Sequence, residues 1–171
     1  MDNNTQKNVI VALILLCVGI ASRIIPHAPN FTAIGAITIL SSSYLPKKYA
    51  LLLPLVIMLQ SDSIVGFHTT MPWVYGSYLL IGLITLYMGS KNLVIMPLIA
   101  SILFFVITNF GVWASGTMYA KTLSGLLECY AMGIPFFRGT LFGDSVFTLV
   151  LYSAFQLLGF KLKSQTVILS A

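Results

Sequence analysis

Charge is what this chain has least of. Of its 171 residues, nine are Lys or Arg and four are Asp or Glu, 8% in all, against roughly a quarter in a soluble domain. So few charges cannot cover a water-exposed surface. A soluble enzyme, a disordered chain and a nucleic-acid-binding domain are all disfavoured, despite a net charge of +5 and a pI near 9.3. Cysteine is equally scarce: Cys17 and Cys129 lie far apart, so no closely spaced redox or metal pair exists. The two histidines, His27 and His68, form no His-x-x-x-His or Glu-x-x-His arrangement, and Cys-x-x-Cys is missing too. No metal ion and no cofactor are therefore expected. The chain also lacks a Gly-x-Ser-x-Gly elbow, a phosphate-binding Gly-rich loop and a zinc-protease motif. A catalytic activity is not expected from these signatures.

What the chain has is long apolar runs. Residues of the apolar set make up 58% of it, with mean hydropathy +0.96. A membrane span takes ~20 residues, so the length suits one integral membrane domain over 1–171. The pattern predicts an all-α fold with six transmembrane helices at about 9–25, 31–45, 49–61, 73–89, 93–113 and 134–160. The first run has the charge and length of a secretory signal. Because the hydrophobic pattern continues through five more segments, it is read as the first span. The second run is short and rich in small residues (Ala33, Gly35, Ala36, Ser41, Ser42, Ser43), which predicts burial among helices rather than lipid exposure. Between runs five and six, Leu123, Leu126, Leu127, Tyr130 and Ala131 recur at helical spacing. They predict a short amphipathic helix at the interface, near 122–131.

Basic residues set the expected orientation. With both termini cytoplasmic, Lys7, Lys47, Lys48, Lys91, Lys161 and Lys163 fall inside and only Arg23, Lys121 and Arg138 outside. The expected location is a bacterial inner membrane. That topology gathers the chemically equipped residues on the outer side, in loops at about 23–31, 60–73 and 114–135. Arg23, Asp62 and Asp144 fall within or beside apolar runs. A charge at the centre of a span costs about 2.5–3.5 kcal/mol, so such residues face the bundle or a cavity. Two readings stay open: a polar pocket orienting a solute, or a structural ion pair such as Arg23–Asp62. For His27 and His68, ligand binding competes with a loop-stabilising hydrogen bond. Trp73 and Trp113, with Tyr119, fit either a solute wall or an interfacial aromatic belt.

Two stretches carry a resemblance. One is Ala21-Ser22-Arg23…Pro29-Asn30-Phe31-Thr32-Ala33…Tyr44-Leu45-Pro46…Leu59-Gln60-Ser61-Asp62, and the other is Asn109-Phe110-Gly111-Val112-Trp113…Ser115-Gly116…Tyr119 with Pro135-Phe136-Phe137. Together they resemble the substrate-binding S-components of energy-coupling factor vitamin transporters. They are most like the solitary cobalamin-transporting type and a related group of small bacterial membrane proteins. The resemblance implies a compact six-helix bundle holding a small vitamin-like solute, cobalamin first, under outer loops 1, 3 and 5. The implied binding residues are Arg23, His27, Asn30, Asp62, His68, Asn109, Trp113 and Tyr119. Trp73 and Asp144 join them from the residue-level reading.

Two departures bear on partners. Where the cobalamin proteins carry a cobalt-meeting cysteine, this chain has Thr70-Met71-Pro72-Trp73. His68, His27 or Cys129 would have to replace that ligand. In place of the Ala-x-x-x-Ala motif that docks an energy-coupling module, it offers Cys17-x-x-x-Ala21, which leaves solitary operation open. The competing readings are a membrane-embedded enzyme using Asp62, Asp144 and Cys129, and an assembly subunit of a membrane complex.

Overall fold

The computed structural model describes residues 3–88 and 93–162. Lys91 and Lys163, which enter the orientation argument, lie outside them, as do the end of the fourth predicted span and most of the tail. The described residues are all-helical, without strands. Six helices follow in order: α1 (Asn3–Ile24), α2 (Ile34–Tyr44), α3 (Lys47–Val65), α4 (Met71–Met88), α5 (Met96–Ser115) and α6 (Leu123–Leu157). All but α2 are long and apolar enough to cross a membrane. Each of these five leaves large apolar side chains uncovered, among them Leu13, Leu52, Leu83, Ile102 and Leu149. In water that surface would be an aggregation liability; in lipid it is the expected exterior. The chain is accordingly a membrane protein.

Five of the six expected spans have the length to cross; the second run forms a shorter helix. α2 has 11 residues, about 16 Å of rise against a hydrocarbon core of about 30 Å. Its shortness follows from the Pro26–Pro29 segment ahead of it and Pro46 behind, since proline removes helix hydrogen bonds at both ends. Every residue of α2 is buried, as its small side chains predict. Its hydroxyls are satisfied inside the bundle: Ser41 Oγ donates to the Ala50 carbonyl of α3 at 2.9 Å, and Thr38 and Ser43 bond back along α2. α2 is thus the hub, with α1, α3, α4, α5 and α6 packed around it.

The second difference lies in α6. The helix expected near 122–131 exists, but it is not a separate interfacial element. It runs unbroken into the sixth span as one 35-residue helix, about 52 Å long. Thr122 caps its start by accepting a hydrogen bond from the Gly125 N–H at 3.2 Å. Pro135 lies inside; proline is tolerated in membrane helices because neighbours re-satisfy the freed groups. Here Tyr130 Oη donates to the Val106 carbonyl at 2.8 Å and the Phe105 and Phe137 rings pack at 5.2 Å, which clamps α6 to α5 on both sides of the proline.

The helices alternate between two ends of the bundle. At one end, Tyr44 of α2 meets Phe155 edge-on at 5.0 Å and accepts from Gln156 Nε2 at 2.9 Å. At the other, the end of α1 meets the end of α3 through Arg23 and Asp62, and the start of α4 joins them through Tyr75. The ten candidate binding residues come from that second end and from the helix turns leading to it.

Candidate functional site

The Arg23 end is built on an ion pair. Asp62 is completely buried and Arg23 is 16% exposed. One guanidinium nitrogen of Arg23 donates to Asp62 Oδ1, another approaches the Met58 sulfur, and Tyr75 Oη donates to Asp62 Oδ2 at 2.7 Å. Both carboxylate oxygens are thereby satisfied, as a buried charge requires. The third guanidinium nitrogen, Nε, is buried without a partner.

Above this pair the chain between α1 and α2 folds down as a shaped cover. Asn30 adopts a left-handed backbone, φ 59°, which asparagine tolerates better than most residues. Phe31 N–H donates to the Ala28 carbonyl at 3.0 Å and Thr32 N–H to the Asn30 carbonyl at 3.0 Å. The cover seats on α6 where side chains are missing: a Cβ at Gly139 would overlap the Pro29 carbonyl, and one at Gly143 would crowd Thr32. The Gly-x-x-x-Gly spacing at 139 and 143, not used in the sequence reading, is the signal that could have revealed this close approach.

Beneath the cover lies a cavity of about 210 Å³. Arg23, His27, Asn30, Thr32 and Thr140 supply its polar wall. Val65, Val74, Tyr78 and Phe104 supply the apolar one. Three of the ten candidate residues, Arg23, His27 and Asn30, therefore meet at one space, and Asp62 stands behind Arg23 and holds it. Thr32, Val65, Val74, Tyr78, Phe104 and Thr140 join them; as ordinary span and loop residues they carried no distinguishing signal in the sequence.

The remaining candidates have other partners. His68 is exposed, with Nδ1 2.8 Å from Thr70 Oγ1. Trp73 donates to Ser115 Oγ at 2.8 Å and packs edge-on with Phe110 at 5.4 Å, against a Gly111 that has no Cβ to obstruct it. Asn109 turns to α6: its amide donates to the Phe105 carbonyl at 2.8 Å, and its oxygen fills the space that a Cβ on Gly133 would take. Trp113 donates to the Ala120 carbonyl at 2.9 Å, while Lys121 lies 5.4 Å over its ring and bonds the Trp113 and Gly116 carbonyls. This closes the loop before α6 onto the end of α5. Tyr119 sits half-buried in that loop.

Asp144 has a specific structural partner. Its Oδ2 accepts from Ser101 Oγ at 2.7 Å, the Ala36 N–H bonds the carboxylate, and the missing Cβ of Gly35 makes room for it. Ala33 stands at the start of α2 and offers no side-chain hydrogen bond to cap it. The Asp144 carboxylate from α6 caps it instead, placing negative charge on the positive end of the helix dipole. Cys129 donates to the Asn109 carbonyl at 3.3 Å. Asp62, Asp144 and Cys129 thus belong to three different sets of partners rather than one centre.

The chain belongs to a family of unknown function, DUF6580, whose model matches residues 2–167. No curated protein and no solved structure matches it.

Proposed function

We propose that this member of the family is a binding and uptake protein for a small vitamin-like solute, held in the cavity beneath the α1–α2 cover. The observation that carries the reading is the convergence of Arg23, His27 and Asn30 on one space of about 210 Å³. Polar groups that converge beside apolar and aromatic side chains are what orient a small molecule in a site, and here five polar residues face four apolar ones. The positive-inside distribution supports a cavity that opens outward from the cell's inner membrane, with both termini cytoplasmic. Volume narrows the solute. Pockets for drug-sized ligands measure roughly 300–1,000 Å³, and the corrin macrocycle of a cobalamin is larger than this space. We therefore favour a compact, single-ring solute over the cobalamin of the first expectation. His27 lines the cavity, whereas His68 and Cys129 do not.

Charge narrows it further. Asp62 neutralises Arg23, so the wall offers hydrogen-bond donors without net positive charge, which suits a neutral acceptor such as a ring carbonyl. The chain carries no phosphate-binding motif, so any ATP energy enters through a partner module. Uptake of a labelled vitamin panel by auxotrophic cells tests the reading. Accumulation of one unmodified solute supports it. Chemical conversion favours the enzyme alternative, and no accumulation together with a co-purifying membrane complex favours the assembly subunit.

A further inference from the structure

Residues one helix turn before and after the buried Asp144 line two different cavities. Thr140, one turn before it on α6, lines the cavity beneath the cover. Ser145 and Thr148, beyond it, line a second, open-sided space of about 530 Å³ toward the Tyr44 end, walled by Leu93, Pro97 and Tyr152 and bordered by the exposed Val94 and Leu149. At 1.5 Å per residue, Thr140 and Thr148 stand about 6 Å above and below the acid. The three side chains form one buried face of α6, with exposures of 5%, 3% and 4% for Thr140, Asp144 and Thr148. Asp144 has Ser101 and the first turn of α2 as partners and no cation among the described residues. The Tyr78 phenol of α4 lies within electrostatic reach of Asp144, as it does of Arg23 of α1 and Asp62 of α3.

Thr148 adds an independent observation. The hydroxyls of Thr38, Thr85, Thr108 and Thr140 each donate to the carbonyl four residues earlier. Thr148 Oγ1 is buried and makes no such bond. A hydroxyl left unpaired in a buried site costs free energy unless another group or a water uses it. Thr148 follows the acid by one turn and is among the residues that line the second cavity.

We propose that Asp144 carries protons between the two cavities, along the α5–α6 seam. A proton from water in the cover-side cavity adds to the carboxylate. The neutral acid loses its attraction to the α2 dipole and passes the proton, through the Thr148 hydroxyl and water, to the second cavity. The carboxylate then returns to the α2 end. One proton enters, one leaves, and nothing is oxidised. This rests on the uptake reading for its purpose, since proton entry would drive solute inward, but not for its test.

The test uses the full-length protein in liposomes loaded with a pH-sensitive dye, under an inside-negative potassium diffusion potential and with no solute present. Lumen acidification should run faster than in protein-free vesicles. Asp144→Asn, which keeps size and an acceptor oxygen, should return it to the protein-free rate, and Thr148→Val, which keeps shape, should slow it. Wild-type protein matching empty vesicles would overturn the proposal. So would Asp144→Asn conducting like wild type or, if that variant does not fold, Thr148→Val doing so. A failure of solute binding at Arg23 leaves this readout unchanged, and a failure here leaves a solute-induced thermal shift unchanged.

Discussion

Removing Arg23 alone should harm the protein more than removing Arg23 and Asp62 together. The Asp62 carboxylate is wholly buried, with one oxygen on Arg23 and the other on Tyr75. Arg23→Met leaves that charge with a single neutral donor. Breaking one side of a buried pair costs roughly 3–5 kcal/mol, while apolar replacement of both sides is often neutral. Arg23→Met/Asp62→Leu should therefore recover most of the loss. Tyr75→Phe removes one hydrogen bond to a charged group and should cost about 1.5–3 kcal/mol. In a chain of this length each kcal/mol moves the unfolding midpoint by about 2–4 °C, so Arg23→Met should fall by about 10 °C. Thermal melts of detergent-purified protein, followed by the fluorescence of Trp73 and Trp113, give the comparison. A loss below about 1 kcal/mol for Arg23→Met would refute the reasoning, as would a double variant no better than the single one.

Two further outcomes follow from the glycines. Gly35→Ala puts a Cβ where the Asp144 carboxylate sits; it should destabilise by about 1–3 kcal/mol through overpacking and a lost helix cap, and an unchanged melting temperature would contradict that cap. Gly139→Leu should lift the cover from α6. Ala28→Cys, in a background without Cys17 and Cys129, should then react faster with an impermeant maleimide, and an equal rate would show that the cover does not depend on this seat.

Much of the helical plan was legible because a lipid-facing helix must be apolar along its length. The boundaries of α3, α4 and α5 fall close to those expected, with Gly66 at φ 114° and Pro97 in the first turn marking ends. α2 was legible as buried, but its length was not, because residues 31–33 belong to the cover rather than the helix. α6 was read as two elements, an interfacial helix and a span, because its first turns are more polar than a lipid-facing helix; the chain joins them into one helix held to α5 on both sides of Pro135.

At the site, Arg23, His27 and Asn30 were visible as polar residues near apolar runs. Trp73, Asn109 and Trp113 were equally visible, yet they pack into the α4–α5 and α5–α6 seams and the loop before α6. Single-residue chemistry cannot distinguish a cavity wall from a helix seam, because both tolerate a polar tip and an apolar body. The difference is set by glycines on the facing helix, and Gly111, Gly133, Gly139 and Gly143 decide it here.

Filling the cavity measures the central claim most directly. Thr140 is buried and lines it, so Thr140→Leu should occupy the space without touching the Arg23–Asp62 pair. Purified wild-type protein is screened by thermal shift against compact vitamins and related neutral solutes, and each stabilising compound is retested on the variant. The account predicts at least one compound that stabilises wild type and loses its effect on Thr140→Leu. A panel without any hit, or a hit that stabilises both proteins equally, would contradict it.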